Sequence, residues 1–105
     1  MKITAIETLR LEEFANLLWV YVETDEGVSG LGETFFGPRA VEAYLHETAA
    51  PLLIGQDPLR IDFLHRKLQG YVGFRGSGAE TRGASAVDIA LWDLWGKATG
   101  QPVHQ

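Results

Sequence analysis

Cysteine is absent from this 105-residue sequence, which excludes disulfides and thiolate metal sites and leaves stability to packing alone. The lack is compatible with a reducing compartment. Basic runs are absent too: nine Lys and Arg residues are scattered from Lys2 to Lys97 against fourteen Asp and Glu. The resulting net charge of −5 argues against a broad nucleic-acid surface. Long apolar runs are also missing. One of the longest, Leu17-Leu18-Trp19-Val20-Tyr21-Val22, is far too short to span a membrane. Met1-Lys2-Ile3-Thr4 enters a strand-like pattern at once, without the apolar core of a signal peptide, so a cytoplasmic location is expected. Internal repeats and low-complexity linkers are not seen.

What is present is an ordinary globular mixture, 46% hydrophobic and 22% charged. A chain this long suits one domain over residues 1–105 and buries roughly 65% of its unfolded surface. The first third reads as three strands. Ile3 to Leu11 is rich in β-branched and apolar residues. In Leu17 to Thr24, Leu18, Val20 and Val22 alternate with Trp19, Tyr21 and Glu23, the period of a pleated strand. Both alternating sets are largely apolar, so this strand is expected to be covered on both faces. Thr24-Asp25-Glu26-Gly27 is a tight-turn signature in which Gly27 supplies a positive φ. Strand three then runs from Val28 to about Thr34, completing an antiparallel meander.

The remainder reads as helical. Pro38 suits a first helical turn, and Val41, Tyr44, Leu45, Thr48 and Leu52 recur at helical spacing until Pro51 and Gly55 close the segment. Asp57-Pro58 reads as an N-cap and first-turn proline, opening a helix whose Ile61, Leu64 and Leu68 share a face. After the glycine-rich stretch Gly70 to Gly78, a last helix begins near Glu80 and ends at Gly100. Its predicted buried face carries Ala84, Val87, Leu91, Leu94, Trp95 and Ala98. Strands followed by helices imply an α+β fold, a three-stranded antiparallel meander followed by a bundle of three helices.

Several chemistries can be weighed on residues alone. The glycine-rich stretch has no lysine between Lys67 and Lys97 for a phosphate loop. Thr81 stands where a dinucleotide fingerprint read from Gly76 needs glycine. A connector is the better reading. His46, His65 and His104 lie too far apart for a local metal pair, and His46-Glu47 and His65-Arg66 read as helix-surface neighbours. Asp88 and Asp93 are separated by about 140° around their helix, so they are no facing acid–base pair. Asp93 and Lys97 form the i, i+4 surface pair. Asp88 is expected to be partly buried and bonded to backbone amides or an arginine. Glu33 precedes the aromatic loop Phe35-Phe36-Gly37, and the link 12–16 carries Phe14. In a meander these two loops can lie at one end of the sheet.

Three stretches carry a resemblance. Val22-Glu23-Thr24-Asp25-Glu26-Gly27-Val28-Ser29-Gly30-Leu31-Gly32-Glu33 is the first, and Leu53-Ile54-Gly55-Gln56-Asp57-Pro58 the second. The third runs from Ser85-Ala86-Val87-Asp88 through Ala90-Leu91-Trp92-Asp93 to Gly100-Gln101-Pro102-Val103. In this order they resemble the N-terminal capping domain of the enolase superfamily, in its mandelate racemase and muconate lactonizing enzyme branch. The resemblance implies a two-domain enzyme that removes the proton next to a carboxylate. Its Mg²⁺ ligands and bases belong to a barrel domain expected after Gln105, which leaves this chain with no catalytic or metal residues of its own. The end Gln101-Pro102-Val103-His104-Gln105 does not look like a deliberate terminus, which supports that expectation of truncation.

By position, the family's two lid loops fall on Phe14, Ala15 and Asn16 and on Phe35, Phe36, Gly37 and Pro38, the first being short here. The stretch Tyr71 to Arg75 resembles a segment of the branch's sugar-acid dehydratases, so Tyr71, Phe74 and Arg75 are further substrate-lid candidates. Arg75 could pair with a substrate carboxylate or polyol, or form a structural ion pair. The expected partners are a small carboxylate substrate, the protein's own barrel domain and further copies in a homo-oligomer. An acid-sugar dehydratase is favoured, with a racemase or cycloisomerase of the same branch as the alternative. A second alternative, from another class, is a self-associating module without a barrel, for which Trp19, Trp92 and Trp95 supply the surface.

Overall fold

The structure, a computed structural model, describes residues 1–10, 16–35, 38–72 and 78–100. Three antiparallel strands come first: β1 (Ile3–Leu9), β2 (Leu17–Thr24) and β3 (Ser29–Phe35), in the spatial order β1-β2-β3. The turn after β2 closes as its sequence requires, with Gly27 at φ +78° and the Thr24 hydroxyl bonded to Val28 O at 2.6 Å. β1 ends at Leu9, two residues before the predicted boundary, and β3 starts and ends one residue later than predicted. Along β2 the inward set Leu18, Val20, Val22 and Thr24 is buried, whereas Leu17, Trp19, Tyr21 and Glu23 are only half-buried. The expectation of two covered faces is corrected: within this chain, helices cover one face of the sheet.

The helical part begins with α1 (Pro38–Tyr44), passes through a π-helical turn (Leu45–Ala49) and continues as α2 (Ala50–Leu53). Backbone angles at Tyr44 and Ala50 are helical, so the three pieces form one continuous rod. Pro51 was expected to close this rod; it lies inside it instead. The physical reason is local. Proline has no N–H to give the carbonyl four residues earlier, and the widened turn adapts to that loss. Ala50 N–H accordingly bonds Leu45 O, five residues back. The rod ends at Gly55, which takes φ +91°.

Asp57 does cap, but it caps a turn. Its carboxylate accepts from Leu59 N at 2.9 Å and its carbonyl from Arg60 N at 3.2 Å, and α3 (Ile61–Val72) starts three residues later than Pro58 suggested. The shared face of Ile61, Leu64 and Leu68 is buried as expected. α4 (Gly78–Thr99) begins two residues before the predicted start and ends before Gly100, whose φ of +76° stops it.

α4 packs along β3, and the contact is made by small residues. A Cβ on Gly30 would stand 2.0 Å from Ala90 O, and one on Gly32 2.0 Å from Ala86 O. Only glycine allows the helix this close. Ala86 and Ala90 are fully buried in consequence, whereas Ala98, predicted inward, is exposed. The core then consists of Leu18, Val20 and Val22 from the sheet against Leu45, Leu64, Val87, Leu91 and Leu94 from the helices.

Candidate functional site

Strand register decides which chain segments meet. Leu9 pairs with Trp19 and Leu17 with Phe35, so the end of β1, the start of β2 and the end of β3 lie at one end of the sheet. The described residues that flank the two predicted lid segments, Arg10 and Asn16 on one side and Phe35 and Pro38 on the other, are therefore set by that end of the sheet. α4 runs antiparallel to β3. Lys97 Nζ meets Ser29 O at 3.0 Å, Asp93 Oδ2 meets Leu31 N at 2.9 Å, and Gly32 lies against Ala86. The N-terminal half of α4 therefore points toward the Phe35 end of β3.

Of the predicted lid residues, Asn16 lies in an exposed turn before β2, and Phe35 is the last residue of β3, 54% exposed. Tyr71 falls in the last turn of α3. Phe14, Ala15, Phe36, Gly37, Phe74 and Arg75 lie outside the described residues. Around Phe35 the outer sheet face presents Leu9 at 43% exposure, with Trp19 half-buried between Leu9 and Glu33. This end of the domain is an apolar rim.

Beside the rim stands a polar cluster that the sequence reading did not single out. Thr8 Oγ donates to Glu42 Oε2 at 2.5 Å and lies 2.9 Å from His46 Nε2. Arg10 Nε donates to Glu42 Oε1 at 2.8 Å. Burial alone would raise the Glu42 pKa. The hydrogen bonds from Thr8 and Arg10 outweigh it, with help from the Arg10 and His46 charges, and hold the carboxyl below its ordinary range. A signal was available in the spacing: Glu42 and His46 are four apart on a helix, and Thr8 and Arg10 alternate along a strand end. His46, predicted as a mere surface neighbour, is a member of this cluster.

Elsewhere, Glu23 on the outer face behaves oppositely. Burial, then a hydrogen bond and repulsion from Glu7, push its pKa up against the opposing pull of Lys97. Asp88 is half-buried as expected and pairs with His65 at 3.7 Å; among the described residues neither a backbone amide nor an arginine is seen to bond it. Asp93 and Lys97 do pair, at 2.8 Å, and they do more than decorate the helix. Together they bond the open edge of β3 at Leu31 N and Ser29 O. Among the described residues, no three His, Asp or Glu side chains stand close enough to hold a metal ion. No described helix is long and apolar enough to cross a membrane.

The sequence pattern of the mandelate racemase / muconate lactonizing enzyme N-terminal domain matches residues 3–105. The chain belongs to this family. It is 65% identical to an enolase of the mandelate racemase subgroup from Agrobacterium tumefaciens, crystallised with sodium and phosphate; the TM-score is 0.93 over 98% of this chain and 28% of that one. It is similar to an enolase from Pantoea ananatis with bound D-gluconate and Mg, at 36% identity and TM-score 0.90, over 98% of this chain and 26% of that one. A D-galactonate dehydratase from Pectobacterium atrosepticum is 43% identical over all of this chain and 27% of its own length. A D-mannonate dehydratase from Novosphingobium aromaticivorans is 38% identical over the same span of each. The chain thus spans about a quarter of the length of the curated relatives it matches. As a mandelate racemase-type N-terminal domain, it has the α+β fold its sequence implied.

Proposed function

We propose that this domain caps the active site of an acid-sugar dehydratase and that its loop-bearing end forms the lid. The carrying observation is the whole-chain similarity to D-galactonate and D-mannonate dehydratases, at about 40% identity. The described side chains do not fit a Mg²⁺ site, so under this reading the metal and the bases belong to the rest of the protein. What this chain contributes is enclosure. Apolar side chains such as Phe35 exclude water and narrow the set of substrates admitted. Phe14, Ala15 and Asn16 form the first lid by position, and Phe35, Phe36 and Gly37 the second. By the same resemblance Tyr71, Phe74 and Arg75 are further lid residues, Arg75 for pairing with a substrate carboxylate or hydroxyl. The protein works in the cytoplasm, a reading supported by its lack of cysteine.

The test is to express the full reading frame and incubate it with Mg²⁺ and a panel including D-galactonate, D-mannonate and D-gluconate, assaying for 2-keto products. Turnover of one or a few is expected. Silence across the panel would redirect the reading to a racemase or cycloisomerase of the same branch. A second reading, a self-associating module, is favoured by the exposed apolar side chains Leu9, Leu31 and Phe35 on the outer sheet face. A reading frame that stops at Gln105 would select it.

A further inference from the structure

The two ends of β1 are held in different ways. At its start the backbone itself is bonded: Ile3 N donates to Gln56 O and Gly55 N to Ile3 O, both at 2.8 Å. At its end the ladder stops with Leu9 opposite Trp19, and Arg10 lies beyond the last pair. What ties the chain there is the side-chain cluster. Arg10 reaches Glu42 on α1, Thr8 reaches the other oxygen of the same carboxylate, and Thr8 also touches His46 on the π-helical turn. One carboxylate therefore receives two donors from β1, one on each oxygen, and only a quarter of its surface is exposed. Because the Thr8 hydroxyl proton goes to Glu42, the Thr8 oxygen accepts from His46 Nε2–H.

We infer that Glu42 is a positioning residue, which fixes the course of the chain from Thr8 to Arg10, where it leaves β1. A stabilising ion pair could sit anywhere on the surface. This one joins the strand's unladdered end to the rod, at the end of the sheet where Leu17 and Phe35 pair. The depressed Glu42 pKa keeps the acceptor charged across the neutral range. The role rests on the capping reading for its catalytic consequence but not for its structural one.

Both consequences can be measured on the full-length protein. With E42Q, amide exchange in peptides covering residues 7–10 should quicken roughly tenfold, while residues 3–6 and the β2–β3 ladder stay unchanged. R10M, which removes the donor instead, should show the same local pattern if E42Q folds poorly. On whichever acid sugar is turned over, E42Q and R10M should each raise KM about fivefold with little change in kcat, and the double variant should do no more than either alone. Faster exchange throughout the sheet, or additive effects of the two substitutions, would reduce Glu42 to a general stabiliser and overturn the inference. If no acid sugar is turned over, the dehydratase reading fails and the kinetic arm is lost. The exchange pattern alone then decides whether Glu42 positions the end of β1.

Discussion

Gly30 and Gly32 carry no side chain, yet the helix packing depends on them. Each lies against a backbone carbonyl of α4, which cannot rotate away as a side-chain tip can. G32A should therefore destabilise the domain near the upper end of the roughly 1–3 kcal/mol typical of overpacking. Unchanged chemical denaturation would mean that α4 shifts outward at little cost. Two glutamates make opposed predictions. The folded Glu42 pKa lies below its unfolded value, so its contribution is present above about pH 4.5 and lost as pH falls through the folded pKa. E42Q should then cost about 1–2 kcal/mol at pH 7, where two charge-assisted hydrogen bonds are weakened, and less in acid. The folded Glu23 pKa lies above its unfolded value, so its contribution is full below that value and disappears as pH rises through the folded pKa. E23Q should stabilise the domain slightly at pH 7, by less than about 1 kcal/mol, with the gain vanishing below pH 4.5. Thermal melts of both variants across pH 3 to 8 separate the two signs.

At the scale of elements, hydrophobic alternation and helical spacing made the strands and helices legible, because residues such as Val20 and Leu64 answer only to burial. Three features were hidden for physical reasons. Pro51 was read as a terminator, and nothing in its neighbours revealed that a widened turn could accommodate it. The small-residue contact between β3 and α4 involves no hydrophobic side chain that a periodicity reading would weigh, so Ala86 and Ala90 were overlooked. Asp93 and Lys97 read as a surface pair, since a sequence does not show that a strand edge lies beneath them. That edge gives its own prediction. D93A leaves Leu31 N–H without its carboxylate and exposes β3 to pairing with other chains. Faster exchange at Leu31 and a rising aggregation rate are expected, and a variant as soluble and protected as the parent would show that Lys97 suffices.

On the scale of the whole molecule, the helices cover one face of the sheet and leave the other to solvent. That outer face combines Leu9, Leu31 and Phe35 with half-buried Trp19 and Tyr21, and it also carries Glu7, Glu23 and Glu33. That the end of β1, the start of β2 and the end of β3 share one end of the sheet could be foreseen from the meander alone, while Glu42 required the fold to bring α1 against β1. Two copies stacking their outer faces would gain apolar burial but bring like charges together. Self-association of the isolated chain should therefore depend on pH and salt. Glu23 already shares a hydrogen bond with Glu7, and as pH falls through its raised pKa the facing surfaces lose charge. Sedimentation should show association strengthening as pH falls through the raised Glu23 pKa, and strengthening at pH 8 when salt screens the carboxylates. L31S with F35S should abolish it under both conditions. A chain that remains monomeric at high concentration, low pH and high salt would mean that these side chains are not sticky enough to pair.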